Sequence, residues 1–342
     1  MTGVYSFDNA NMSAPTVTHW VLPFASSLSE PCQHVLSRLG QDPALPNLQQ
    51  LLQRLQPLGR LEGDEFDLAL PHEKWLARQM GWNPDQAPWA LWWARQDGVA
   101  LDTNQPWGLM SPCHWLMGRD HLTLLDPQAL ALTATESREL LDAIRPLFES
   151  EGWQLVWGAP TRWYVSHESL RDLPTASLDR VIGRNPDVWL NDHPQARLLR
   201  RLQSEVQMLL YQHPSHDARQ ERGALTVNSF WLSGCGQLPA GENWSTGQHD
   251  VQLITTLRQP LLADDMMAWL QAWKKLDASV LQEALAHLDG GEPILLTLCG
   301  ERHAQTWGLS SSQSGLLGGL KQTLRRWLPS RRPDLPALLK DL

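Results

Sequence analysis

The chain is poor in cysteine: four in 342 residues, with no C-x-x-C pair. Cys32, Cys113, Cys235 and Cys299 lie far apart. That excludes a readable disulfide framework or zinc motif and predicts free buried thiols in a reducing compartment, hence a cytoplasmic protein. Basic residues are also in short supply, with 28 Lys and Arg against 37 Asp and Glu, a net charge of −9. Nucleic-acid binding depends on neutralising phosphates with a basic face, so no nucleic-acid partner is expected. No apolar run approaches the roughly 18 residues of a membrane span, so no span is expected. The opening MTGVYSFDNANMSAP has neither the basic nor the apolar part of a signal peptide, and residues 1–15 read as a flexible tail. Tyrosine and phenylalanine number only 3 and 5, yet there are 18 tryptophans.

Those tryptophans admit two uses, core packing or stacking platforms for sugars and bases. They run from Trp20 to Trp327, many within apolar stretches, which favours packing. Trp89, Trp92 and Trp93 sit at i, i+3 and i+4, one face of a helix. A carbohydrate-binding reading survives only if exposed, coplanar tryptophans exist.

At about 150 residues per domain the length suggests about two domains. THWVLPFASS (18–27) reads as a short buried strand running into a loop, followed by a helix near 30–39. LPNLQQLLQRLQ (45–56) has helical apolar spacing behind a turn-forming start, and HEKWLARQMG (72–81) is a helix stopped by Gly81. Between 107 and 165 the pattern changes to strand, strand, helix, strand, strand. The first pair is joined by Gly118-Arg119-Asp120, and the helix from 133 opens on Thr133 with Glu136 near its third position. This ββαββ block reads as an α+β domain inserted at 106–179 into a core made of 16–105 and 180–330, with a C-terminal tail at 331–342. In the core, strands alternating with helices predict a parallel-type α/β sheet.

The most informative segment is 227–236, VNSFWLSGCG: a buried strand expected at 226–233, then a glycine turn. Gly234 and Gly236 could form an anion nest or simply a tight turn. Asn228 and Ser229 could face a pocket or bond to neighbouring backbone. Cys235, between glycines, could be exposed, but reactivity needs a depressed pKa. Ser26 and Ser27 end the first strand without any recognisable nucleophile motif. Two Asp-His pairs, Asp120-His121 and Asp192-His193, and the run His213-Pro-Ser-His216-Asp217 hold metal-ligand residue types. Each sits at a turn or helix end, where those residues also serve as caps. A basic run from Lys321 to Arg332, interleaved with leucines, suits a partner or membrane-surface helix, or a solvated face on a packing helix.

At VNSFWLSGCG the chain resembles the RpfE-type bacterial regulatory protein family. The resemblance extends through RWYVS (162–166), the SEVQMLLY part of the 197–211 helix and Arg222-Gly223. The segment is also similar to the N-S-x-W-L-W-G-x-G stretch of archaeal-type cofactor-independent phosphoglycerate mutases, members of the alkaline phosphatase superfamily. Asn228, Ser229, Trp231, Leu232, Gly234 and Gly236 match, and Ser233 replaces a tryptophan. LPNLQQLL (45–52) is similar to that superfamily's T-P-N-L helix start. The resemblance implies an α/β fold with an alkaline-phosphatase-like three-layer core and an inserted α+β domain. Departures from it fall on the chemistry. Phe24-Ala25 stands where such enzymes carry Asp-Gly, and Cys299-Gly300-Glu301-Arg302-His303 where late strands deliver Asp and His. Two divalent metals need about six to eight donors, and no D-x-x-x-H set occurs between 250 and 290.

The leading expectation is therefore a non-catalytic regulatory or binding protein without cofactor, its partner an anionic small molecule or a protein. Candidate ligand contacts are Arg162, Arg184 and Arg222, whose guanidinium groups suit phosphate, with Asn228, Ser229, Trp231, Gly234 and Gly236. The alternative is a phosphomutase or phosphohydrolase holding a divalent metal through Asp192, His193, His216, Asp250 and His303.

Overall fold

The computed structural model describes residues 4–7, 17–39, 44–119, 121–190, 193–194, 196–238, 249–309 and 333–342. The chain divides into two compact units, the first made of residues 1–80 and 245–342, the second of 81–244. The ββαββ block expected at 106–179 lies inside the second unit, which also takes in a helix before it and two helices and a strand after it.

In chain order the first unit opens with β1 (Val4–Phe7), β2 (Val17–Leu22), α1 (Glu30–Leu36), α2 (Pro46–Arg54), β3 (Gln56–Leu61) and α3 (Pro71–Gln79). The second begins with α4 (Trp89–Gln96), β4 (Trp107–Cys113), β5 (Trp115–Met117), β6 (Leu122–Leu124) and α5 (Ala134–Glu149). It continues with β7 (Gln154–Ala159), β8 (Arg162–Ser166), α6 (Leu178–Val181), α7 (Ala196–Gln212), α8 (Pro214–Glu221) and β9 (Ser229–Gly236). The chain then returns to the first unit through β10 (His249–Ile254), α9 (Arg258–Leu262), α10 (Met266–Leu276) and α11 (Gln282–Asp289). It closes with β11 (Ile294–Cys299), β12 (Ala304–Gly308) and α12 (Leu335–Lys340).

The first unit holds a six-stranded sheet in the order β1-β10-β2-β11-β12-β3. The β10–β2 and β2–β11 pairings are parallel, while β1–β10, β11–β12 and β12–β3 are antiparallel, so the sheet is mixed where a parallel type was expected. Part of the expected N-terminal tail is thus an edge strand. Strand alternation sorts β2 between the two faces. Trp20 and Leu22 join a core with residues of α1, α2, α10 and α11. His19 turns to the other face, edge-on to Trp75 of α3. There its Nε2 meets Thr297 Oγ1 at 2.7 Å, and that hydroxyl meets Thr306 Oγ1 at 2.7 Å, a polar chain across three neighbouring strands.

α2 starts without a cap of its own, because Leu45 offers no side-chain acceptor and Pro46 has no N–H. The acceptor arrives from a distant π-turn, Asp277–Leu281, between α10 and α11. The buried Asp277 carboxylate accepts from Leu48 N at 2.9 Å and Asn47 N at 3.2 Å, while Asn47 Nδ2 donates to the Asp277 carbonyl at 2.8 Å.

The second unit is built on a wholly antiparallel sheet, β7-β8-β4-β9, with β5 and β6 as a separate hairpin. Trp163, Val165, Phe230 and Leu232 pack with α5 and α7 on one face. Tyr164, Trp107 and Leu109 pack under α4 on the other. The expected capping box at the start of α5 is present: Glu136 N donates to Thr133 Oγ1 at 3.2 Å, and Thr133 N to Glu136 Oε2 at 3.0 Å.

Thirteen tryptophans are buried, and Trp89, Trp93 and Trp157 are half-buried, so no described tryptophan offers an exposed ring. The carbohydrate reading loses its signature. All four cysteines are buried and unpaired. Asp120, Asp192 and the basic run 321–332 lie outside the described residues.

Candidate functional site

The segment VNSFWLSGCG does not end in a turn. β9 runs on through Gly236, and the pairing with β4 slips between Trp107 and Leu109, so that one extra β9 residue is accommodated opposite Gly108. Gly234, at φ 59°, is the residue that makes this β-bulge possible. Its missing side chain also matters for packing, since a Cβ there would lie 2.8 Å from Trp89 Cβ and 3.2 Å from Ala90 N. At Gly236 a Cβ would meet the Gln86 carbonyl at 3.1 Å. The two glycines let the start of α4 rest directly on the strand, which leaves no open backbone nest.

The polar residues of the segment are spent in the same way. Asn228 pairs with the backbone of Trp115 as an extra strand residue would: Trp115 N donates to its Oδ1 at 2.8 Å, and its Nδ2 donates to Trp115 O at 3.0 Å. Ser229 Oγ, fully buried, accepts from Gln207 Nε2 at 3.1 Å. Trp231 Nε1 donates to the Ala176 carbonyl at 2.9 Å. Cys235 is buried too, and burial pushes its thiol up to about 12, against only a weak opposing bond from Thr175. It is an inert core thiol, not an exposed one.

Of the three arginines proposed as anion contacts, two have carboxylate partners. Arg162 grips Asp97 with Nε at 2.8 Å and with Nη2, and Tyr164 donates its hydroxyl to the same carboxylate. The Asp97 side chain is only 7% exposed, so this is a packed ion pair. Arg222 bonds Glu136 together with Arg219, whose Nη1 lies 2.9 Å from the same oxygen. Arg184 is half-buried beside the β5–β6 hairpin, its carbonyl accepting from Leu124 N at 3.1 Å.

The alternative metal ligands are divided between the units. His193 and His216 belong to the second, Asp250 and His303 to the first. Asp250 accepts from Gln252 Nε2 at 3.1 Å. His303 Nδ1 accepts from Gly63 N at 3.2 Å, so the neutral ring carries its proton on Nε2 and its free lone pair is already used. Burial, then the Arg60 and Arg302 charges, hold its pKa below the ordinary histidine value. His216 lies edge-on to Tyr211. Among the described residues no three His, Cys, Asp or Glu side chains gather into a ligand set. The described residues therefore offer no divalent-metal set, with Asp192 lying outside them.

In open α/β sheets ligands sit beyond the carboxyl ends of the parallel strands. Here those ends are tied to one another. Ala25 N, just after β2, donates to Cys299 O at 2.9 Å. Glu301, after β11, accepts from Leu28 N at 2.7 Å and Ser27 Oγ at 3.1 Å. The Leu342 carbonyl takes both Arg302 N at 2.9 Å and His303 N at 2.6 Å. Gly300 gives the Leu342 residue its room, for a Cβ there would lie 2.5 Å from Leu342 C and 2.3 Å from Ser26 Oγ. The groups that decide this arrangement, Glu301 and Arg302, were visible in the sequence only as replacements for metal ligands.

No family model matches the chain, so the RpfE-type resemblance finds no support. No curated protein matches it either. Among solved structures, the cofactor-independent phosphoglycerate mutase from Thermoplasma acidophilum DSM 1728 is similar over 87% of this chain and 90% of its own, at 16% identity and a TM-score of 0.35. The PH0037 protein from Pyrococcus horikoshii is similar over 87% and 88%, at 13% identity and a TM-score of 0.45. Both likenesses are too loose to establish a shared fold in detail, and no chemistry follows from them.

Proposed function

We propose that the protein acts by binding, as a non-catalytic regulatory protein on a phosphomutase-like scaffold with an alkaline-phosphatase-like core, its partner an anionic small molecule or another protein. The observation that supports this best is the closure of the β2 and β11 carboxyl ends by the chain's own groups. Glu301 spends its carboxylate on Ser27 and Leu28, and Leu342 spends its carbonyl on two backbone amides. A hydrolytic or phosphoryl-transfer centre needs a nucleophile, a base and charge-stabilising donors free to turn toward a substrate. Groups already satisfied within the chain serve rigidity instead.

The deciding experiment is metal analysis of the purified protein alongside phosphoglycerate mutase and general phosphatase assays, with and without added divalent metal. The expected outcome is sub-stoichiometric metal and no turnover. Stoichiometric metal accompanied by turnover overturns the reading.

A further inference from the structure

The turn between β11 and β12, residues 300–303, carries a guanidinium group without an acceptor among the described residues. Arg302 is half-buried. Its Nε is closed off from solvent and has no hydrogen-bond partner among the described residues. No carboxylate of the described residues pairs with it, whereas Arg60 on β3 is paired with Asp341 at 2.8 Å and Arg54 with Asp289 at 2.5 Å. A guanidinium is always charged, and a buried N–H without an acceptor is costly, so an arginine held in this state is short of an anion.

Its backbone is fixed from two sides. Glu301 anchors the turn to the loop after β2, and Leu342 O holds the amides of Arg302 and His303. The turn follows the last parallel strand of the sheet, where α/β folds place their ligands. The Arg302 and Arg60 charges both act on the His303 ring, so two guanidinium groups lie near one imidazole. Arg60 is already neutralised by its partner, which leaves Arg302 as the cation with binding capacity.

We infer that Arg302 is the anchoring cation of an oxyanion site at the carboxyl end of β11, taking the phosphate or carboxylate group of a small acidic molecule. The guanidinium fork matches either group, and its fixed backbone limits the ordering needed on binding. This rests on the proposed binding function and gives that function a place on the molecule.

The test follows the Arg302 Nε–H resonance by NMR while inorganic phosphate, or separately acetate, is added to the full chain. Sodium chloride at matched ionic strength is the control. A saturable shift in the millimolar range is expected with one of the two anions and not with chloride. Phosphate acting alone marks a phosphate-bearing ligand, and acetate acting alone a carboxylate. Calorimetric titration should show roughly tenfold weaker binding in Arg302→Gln, with partial retention in Arg302→Lys, which keeps the charge and loses the fork. Unchanged thermal unfolding of the Lys variant guards against a folding defect. No saturable shift with either anion, or binding by Arg302→Gln equal to the unaltered protein, overturns the inference. Neither readout requires turnover. A protein shown to hold metal and turn over substrate can still bind an anion at Arg302, and one without turnover can fail to, so the two proposals fail separately.

Discussion

Replacing Glu136 with Gln tests whether a single carboxylate ties α5 to α8 and the loop after it. Glu136 does three things at once. It closes the capping box with Thr133, it pairs with the fully buried Arg219, and it pairs with Arg222. Arg219 in turn donates from Nε to the Leu225 carbonyl at 2.7 Å and from Nη2 to the Leu130 carbonyl. Burial opposes ionisation of Glu136, but the Arg222 bond, the Thr133 amide and hydroxyl, and the Arg219 charge outweigh it. Together they pull the carboxyl from 4.5 down to about 2.

The sign of the pH effect follows from that depression. Between the two values the unfolded chain binds the proton and the folded one does not, so stability is present above the unfolded pKa and is lost as pH falls toward the folded one. At about 1.4 kcal/mol per unit, the shift corresponds to at most ~3.4 kcal/mol. We reduce this to about 2 kcal/mol, because part of the pairing runs through Arg222, whose side chain is 52% exposed and screened by solvent. Glu136→Gln keeps the shape and an acceptor for the cap, so it should cost about 2 kcal/mol near neutral pH and flatten the acid limb. Arg219→Met should cost more, about 3 kcal/mol, since it strands the Leu130 and Leu225 carbonyls and leaves Glu136 without its buried partner. Urea titrations at a series of pH values, each read by pulsed hydrogen exchange of the α5 amides, isolate the second unit from the first. An acid limb in Glu136→Gln as steep as in the unaltered protein would refute the reasoning. So would a loss of less than about 0.5 kcal/mol near neutral pH, the range of an unremarkable surface change.

Asp277→Ala should destabilise the first unit by about 2–3 kcal/mol, from the lost cap and the stranded Leu48 amide, measured by urea unfolding with exchange read on α2. Burial keeps the Asp277 pKa above its ordinary value despite those bonds; the folded chain therefore takes up the proton before the unfolded one does, and the loss in Asp277→Ala should grow in mild acid. Gly234→Ala forces a left-handed residue and a Cβ against Trp89, and should cost about 2–4 kcal/mol, visible as a lowered Tm; an unchanged Tm contradicts the bulge. The Cys235 thiol, held near 12, should resist iodoacetamide at pH 8 for as long as the chain stays folded. Labelling at that site within minutes in native buffer means the strand is not packed as described.

Much of the local structure was legible from the chain. The Thr133–Glu136 box, the apolar spacing of LPNLQQLLQRLQ in α2 and the strand pair at 154–166 each carry their signal within one or two turns of sequence. Longer-range features were not. Nothing near Leu45 announces that Asp277 caps α2, because a cap delivered from another element leaves no trace at the helix start. The mixed sheet escaped for a related reason. A strand such as β11 reads as a uniform apolar run whichever way its neighbours point, so direction has to come from connections, and the interruption at 81–244 hides them. The bulge at Gly234 was read as a turn because glycine at positive φ serves both, and only the continued pairing through Gly236 separates them.

The candidate site was legible least, and the reason lies in how a family-like motif acquires its residues. In VNSFWLSGCG each matched position has a packing duty within its own unit: Asn228 extends the strand pairing, Trp231 binds a carbonyl, and Gly234 and Gly236 admit α4. A sequence built for that arrangement needs these residue types whether or not the protein turns anything over. Similarity at such positions therefore speaks for a way of packing a strand under a helix, and is silent on chemistry. Arg302 stands in the opposite case. No packing duty explains its guanidinium group, whose Nε is buried without an acceptor. Where Arg162 and Arg222 found carboxylates, Arg302 has none among the described residues, and its place after a parallel strand makes it the better guide to what the proposed binding function would recognise.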